Sequence, residues 1–242
     1  ITIFILTYFF LGIASILVLT WKSAKMIFQK NFVLPPYAFF HALTGINFPV
    51  HHADGGESHD IFSWYRQWNE KPLFVNMFAH NVKNIPKDRL IEGTRYMSLM
   101  FPYLHKPSQI LHFLTWGILA SFRAFFDCLR GRFWHALLLR EASKSYMVRL
   151  LDYDKLAQDY LFHNSNHIFR PLWTYEVEKR GSRVLFYFYS TNCETFKTNA
   201  NYPLQENTWH VMSWSNYLVW DQHQADFIKR CVGNFGHHIH IV

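Results

Sequence analysis

The stretch YLFHNSNHIFRPLWTYEVEKRGSRVLFYFYSTN, from Tyr160 to Asn192, decides the fold. Tyr160 to Phe162 is a short apolar run, and Asn164 to His167 is a polar turn. Arg170-Pro171 then opens a helix, because proline in a first helical turn has no intrahelical hydrogen bond to lose. The helix runs through Trp173, Tyr175, Glu176 and Glu178. Lys179-Arg180-Gly181 supplies the cations that favour a helix C-terminus and the glycine that stops it. Val184 to Tyr189 follows as a run of β-branched, aromatic and leucine side chains, the composition of a buried strand. Strand, helix and strand with short loops make a βαβ unit, whose parallel strands present ligands at their carboxyl ends. Those ends are Asn164, Ser165 and Asn166 after the first strand, and Ser190, Thr191 and Asn192 after the second.

Toward the C-terminus the unit repeats. Trp209 to Met212 and Tyr217 to Trp220 read as strands, and Asp221 with Gln224 makes a capping box that starts a helix to Cys231. Gly233 or Gly236 ends that helix, and His238 to Val242 begins another strand. The alternation predicts an α/β fold, with a Rossmann-like region over 157–236 and a first strand of a truncated further domain over 237–242. The chain starts at Ile1 without a Met, and its last apolar residues read as a strand about to continue, so it is expected to be a fragment at both ends.

Upstream, Trp134, Leu137, Leu138, Tyr146, Val148 and Leu151 space as helical segments. Asn31 to Pro107 mixes prolines with scattered polar residues, short apolar pieces such as Leu73 to Phe78, and a helix predicted near Lys87 to Met100. Residues 31–156 therefore read as mixed and largely helical. Ile1 to Trp21 carries no charge, and about 20 apolar residues suffice to cross a hydrocarbon core. Lys22, Lys25 and Lys30 follow it, so residues 1–30 are a membrane-anchor candidate that leaves the remaining chain in the cytoplasm. Thr2, Thr7, Gly12 and Ser15 keep a buried core helix open as the alternative. Gln109 to Leu129 is interrupted by Arg123 and Asp127 and flanked by Lys106, Arg130 and Arg132, so a full membrane span is not expected there, but it carries Trp116, Phe122, Phe125, Phe126 and Leu129 at helical spacing. Such a stripe packs in a core or lies along a membrane surface.

Composition narrows the classes. Aromatic residues are 19% and charged residues 17% of 242, which fits a globular protein in contact with a membrane. The formal charge of +7 suits anionic lipid or phosphorylated substrates. Nucleic acid is disfavoured, since no run of five basic residues and no zinc-finger spacing occurs. Cys128, Cys193 and Cys231 form no CxxC pair, in keeping with a reducing compartment.

The segments Asn164 to Asn166, Arg170 to Glu176, Lys179 to Gly181 and Phe186 to Asn192, with Tyr217 to Asp221, resemble bacterial surface polysaccharide biosynthesis proteins named for a PFTS motif. The resemblance covers roughly Trp134 to Val242, and the name-giving tetrapeptide does not occur in this chain. It implies a GT-B-like glycosyltransferase, with an N-terminal Rossmann-like domain facing the acceptor and a C-terminal one binding a nucleotide sugar. The implied partners are that donor and a glycan or lipid-linked glycan acceptor at the cytoplasmic side of the bacterial inner membrane. No bound cofactor is implied, and a fragment lacking the donor domain is expected to be inactive alone.

On the acceptor side, Asn164, Ser165, Asn166, Ser190, Thr191 and Asn192 offer groups for sugar hydroxyls, although such residues also cap helices and form turns. Arg170 suits a phosphate or carboxylate, or an ion pair. Glu176 and Glu178 are carboxylates on a helix, where a solvated face is the common fate; the sequence names no catalytic base. Two other classes stay open. His51, His52, Asp54 and His59, with His237, His238 and His240, suggest a metal-dependent hydrolase, but no paired ligand spacing completes a metal site. A membrane-anchored scaffold without chemistry is the other, since fold alone does not prove function.

Overall fold

A computed structural model describes residues 2–27, 36–41, 61–68, 77–80, 88–91, 94–98, 103–163, 169–188, 213–232 and 237–242. In chain order the elements are α1 (Thr2–Ile27), β1 (Ala38–Phe40), α2 (Ile61–Trp68), β2 (Met77–His80), β3 (Asp88–Ile91), β4 (Thr94–Ser98), α3 (Pro107–Leu129), α4 (Trp134–Leu150), β5 (Asp159–His163), α5 (Leu172–Lys179), β6 (Arg183–Tyr187), β7 (Asn216–Val219), α6 (Gln222–Val232) and β8 (His238–Ile241). They belong to two compact units. The first comprises Ile1–Leu34, Phe101–Leu156 and Pro171–Gly181; the second comprises Pro35–Met100, Ala157–Arg170 and Ser182–Val242. The chain is a mixed α/β protein with a largely parallel sheet and a helical N-terminal region, as the alternation predicts.

The first unit is helical. α1 buries Ile5, Gly12, Ile16, Leu19 and Ser23, spaced by seven or fewer residues along one narrow stripe, and leaves its other faces outward. α3 runs antiparallel to it: the Phe9 and Phe125 rings lie 6.5 Å apart, Ile16 meets Gly117, and Lys22 Nζ sits 5.5 Å from the Tyr103 ring centre. α4 runs parallel to α1, with Gly12 against Leu139 and the Ser15 and Ser143 hydroxyls hydrogen-bonded at 2.9 Å. A Cβ on Gly117 would stand 2.5 Å from Ile16 Cγ2, and one on Gly12 would stand 2.7 Å from Leu139 Cβ. Small residues are what allow these helices their approach. α5 docks on α4, where Arg149 Nη2 donates to Glu176 Oε1 at 2.7 Å and Arg180 donates to the Arg149 carbonyl at 2.7 Å.

The second unit holds every described strand, in the order β3-β4-β2-β1-β5-β6-β7-β8. Neighbours pair in parallel except β3 with β4. One face buries Phe40, Phe78, Tyr96, Leu161, Leu185 and Leu218 against Phe62 and Tyr65 of α2. The alternate positions Phe39, Tyr160, Phe162 and Phe186 form the other, with the Trp214 ring 4.8 Å from both Phe162 and Phe186. At the amino ends of β5 and β6, Asp159 and Arg183 are register partners, and Arg183 Nε and Nη2 each donate to the Asp159 carboxylate at 2.6 Å. Tyr65 donates its hydroxyl to the same carboxylate.

Three sequence expectations need correction. The helix predicted near Lys87 to Met100 is replaced by β3 and β4; β4 pairs in parallel with β2 and antiparallel with β3, so its backbone groups are satisfied by neighbouring strands instead of along a helix. Residues 31–156 accordingly contribute four strands to the sheet and are not a separate helical region. His238–Ile241, expected as the strand of a further domain, joins this sheet: it pairs in parallel with β7 from Asn216↔His238 to Val219↔Ile241, following the α6 crossover. Other elements match closely. Gly181, at φ +92, stops α5 where Lys179-Arg180-Gly181 was expected to, and the Asp221 carboxylate accepts from the Gln224 N–H at 2.8 Å to start α6. The strand expected at Trp209 to Met212 lies outside the described residues.

Candidate functional site

The chain lays β2 and β4 outward on one side of β1, then returns to place β5 on the other side and continues through β6, β7 and β8. The strand order therefore reverses between β1 and β5. Neighbouring connections leave in opposite directions at such a point and open a crevice at the carboxyl ends of the strands.

Histidines mark that edge. β1 is followed by His41, whose backbone N–H donates to the Leu161 carbonyl at 2.8 Å and extends the pairing with β5. The His41 ring stacks on Phe162, centres 4.9 Å apart and planes inclined by 21°. β5 ends on His163, which is buried, and β2 ends on His80, in register with Phe40. Along each strand the side chains alternate between faces, so His41 shares a face with Phe39 and His163 shares one with Leu161. An imidazole changes charge near neutral pH and can accept or deliver a proton there. Among the described residues no group of three His, Cys, Asp or Glu side chains is placed to hold a metal ion.

Sequence reasoning had missed these residues although a signal was present. Tyr37–His41 reads YAFFH, Met77–His80 reads MFAH and Tyr160–His163 reads YLFH, three apolar strands that each close on a histidine.

The predicted site residues fare differently. Asn164, Ser165, Asn166, Ser190, Thr191 and Asn192 lie outside the described residues, although β5 and β6 run up to the carboxyl ends that precede them in sequence. His51, His52, Asp54 and His59 also lie outside. Arg170 is buried, and its Nη1 donates to the Ser213 carbonyl at 3.2 Å and to the Ser215 hydroxyl at 2.8 Å. These partners immediately precede β7, so Arg170 is held at the starting end of that strand, away from the carboxyl edge. Glu176 sits in the helical unit, buried where a solvated face was expected. The hydrogen bond from Arg149, reinforced by Lys179 at 3.3 Å, holds its carboxyl below the ordinary range. A carboxylate so stabilised is a poor proton acceptor near neutrality.

His238 and His240 share the exposed face of β8, ring centres 6.5 Å apart. Burial lowers the His240 value, with the His238 and Arg183 charges adding to the effect. His237 instead hydrogen-bonds the Trp214 carbonyl at 2.5 Å through Nδ1. Tyr37 and Tyr160, hydrogen-bonded to each other, are pushed up by burial and serve the core.

The helical unit carries the other functional feature. α1 is the one described helix long and apolar enough to cross a membrane, with a mean hydropathy of 2.4 over its most apolar window and only 22% of that window buried. No curated relative and no solved structure matches the chain. The model of the family described as polysaccharide biosynthesis PFTS motif protein matches residues 116–241, just over half of the chain, from within α3 to the end of β8. The chain belongs to that family of polysaccharide biosynthesis PFTS motif proteins.

Proposed function

We propose that the chain is part of a GT-B-like glycosyltransferase that moves a sugar from a nucleotide-activated donor to a bacterial surface polysaccharide acceptor. The observation that carries this reading is the parallel sheet whose order reverses between β1 and β5, in a chain of a polysaccharide biosynthesis family. The acceptor lies over that switch point. Asn164, Ser165, Asn166, Ser190, Thr191 and Asn192, which follow β5 and β6, hold its hydroxyls. His41 or His163 takes the proton of the attacking hydroxyl as the new glycosidic bond forms and the nucleoside diphosphate departs. Arg170 and Glu176 position their own elements and leave the chemistry to the histidines. No metal or bound cofactor is required of these residues.

A membrane-held enzyme suits a lipid-linked glycan acceptor, which moves in the plane of the same bilayer. Lys22 and Lys25 at the end of α1 favour the cytoplasmic side for the sheet, where nucleotide sugars are made.

The test is binding of a panel of sugar nucleotides and free nucleotides to the complete natural protein in nanodiscs, followed by transfer to membrane-extracted acceptor. Selective binding of one nucleotide class, with either His41→Ala or His163→Ala retaining it but transferring sugar at least 100-fold more slowly, supports the reading (about 10²–10⁴ is the usual weight of a general base). A folded protein that binds no nucleotide supports the non-catalytic scaffold.

A further inference from the structure

α3 is built inside out for a water-soluble helix. It buries Phe113, Gly117, Ala124 and Asp127, two of them small and one ionisable. It turns outward Leu111, Ile118, Leu119, Phe122, Phe125, Phe126 and Leu129, the last with 70% of its surface exposed. At 100° per residue these seven side chains fall on one arc, with His112 and Arg123 at its margin. α1 has the same character, since Ile3, Phe4, Leu6, Phe10, Leu11, Leu17, Val18 and Trp21 are exposed. In water such a surface is costly; in lipid, bulky apolar side chains face outward and small or hydrogen-bonded residues face the neighbouring helix. Gly12, Gly117 and the Ser15–Ser143 hydrogen bond lie on the inward side as that rule requires.

Length and charge agree. From Leu111 to Leu129 and from Ile3 to Trp21 the apolar bands are each roughly 27 Å long at 1.5 Å per residue, so together they offer one continuous apolar surface, with the charged α4 on the side away from it. The antiparallel contacts put the two bands side by side. Cations bound them at both ends: Lys22 by the Tyr103 ring, Lys25 over the Trp21 ring and Lys106 just before α3, and Arg130 and Arg132 in the exposed turn beyond Leu129. Beside that turn Trp134 is 71% exposed, an aromatic of the kind that settles at headgroup level. Gly131 adopts φ +76 there and lets α3 reverse tightly into α4. Asp127 is spared from lipid by its hydrogen bond with His135 Nδ1 at 2.6 Å.

We propose that α3 is a second membrane-embedded helix: the outer faces of α1 and α3 form one surface immersed in the hydrocarbon of a phospholipid bilayer, and the Arg130–Arg132 turn rests on headgroup phosphates. The inference stands on helix geometry and is independent of the transferase reading.

The experiment places single cysteines, in the complete protein with native cysteines replaced, at Leu11, Leu119, Phe126, Arg132 and Arg140. Each carries an environment-sensitive fluorophore in vesicles of phosphatidylcholine and phosphatidylglycerol. Labels at Leu11, Leu119 and Phe126 should be quenched by nitroxides on lipid acyl chains and shielded from aqueous dithionite. The label at Arg132 should respond to headgroup nitroxides, and that at Arg140 on the charged α4 to dithionite. Dithionite access at Leu119 and Phe126 with protection at Leu11 would leave α1 as the sole embedded helix and overturn the proposal. Protection of both without acyl-chain quenching would mean that a protein partner covers α3, which overturns it equally. A label at Arg132 blind to headgroup nitroxides would remove the turn from the interface.

Discussion

Substituting either member of the Asp159–Arg183 pair should destabilise the sheet, and by unequal amounts. Asp159 is 1% exposed and accepts two hydrogen bonds from Arg183 at 2.6 Å and a third from Tyr65, whereas the Arg183 side chain is 41% exposed. Hydrogen bonds to charged groups are each worth roughly 1.5–3 kcal/mol. In Asp159→Asn one acceptor oxygen survives and water can reach the freed guanidinium, so the net loss is about 2–3 kcal/mol. Arg183→Gln instead strands a carboxylate in the interior with Tyr65 alone for company, and breaking a buried pair in that direction costs about 3–5 kcal/mol. At about 2–4 °C per kcal/mol for a chain of this size, Tm should fall by about 4–12 °C and about 6–20 °C respectively. Near-UV circular dichroism melts in detergent micelles read both, and the double substitution should cost less than the two singles added. Equal losses, or strict additivity, would refute the assignment of Asp159 as the enclosed charge that Arg183 neutralises.

Gly117→Val should drive a side chain into Ile16 and lower bundle stability by about 1–3 kcal/mol, measured as a lower Tm in micelles. Of the two described glycines at positive φ, Gly181→Ala should cost more than Gly131→Ala, because a Cβ at Gly181 also meets the Tyr153 hydroxyl at 2.5 Å while Gly131 faces open space; paired melts decide it. Glu176, whose folded-state value lies below its ordinary 4.5, contributes stability that is complete above the unfolded value and lost as pH falls through the folded one. Stability should therefore rise with pH across that acid window, and Glu176→Gln should flatten that part of an acid-unfolding curve.

The βαβ core was legible because each boundary had its own chemistry. Pro171 and Gly181 bracket α5, and the unbroken run from Val184 fits a strand with neighbours on both sides. β1 to β4 were not legible. Three to five residues are too few to show a period against prolines and scattered polar groups, and their burial depends on α2 and β5, far away in sequence. α3 stayed open for a different reason: a helical stripe of Phe and Leu has the same spacing whether it faces a core or lipid, and the burial of Gly117 and Ala124 on the opposite side is invisible in the sequence. The site divides likewise. The carboxyl ends of β5 and β6 could be read from local pattern, whereas His41 reaches the same sheet edge as His163 only through the parallel pairing of β1 with β5, across more than a hundred residues. Arg170 and Glu176 look like ligands in a sequence because burial and partners are invisible there; in the fold Ser213, Ser215 and Arg149 engage them.

The central claim is that this sheet serves sugar transfer, and the most direct measurement is single-turnover transfer from a radiolabelled nucleotide sugar to a lipid-linked acceptor by the complete protein in nanodiscs. The account predicts label in the lipid-linked fraction, at least 100-fold slower with His41→Ala or His163→Ala and with unchanged donor binding (about 10²-fold or more for loss of a general base). Full transfer by both variants would contradict the assigned site, and no transfer from any sugar nucleotide by a folded, acceptor-supplied protein would contradict the function.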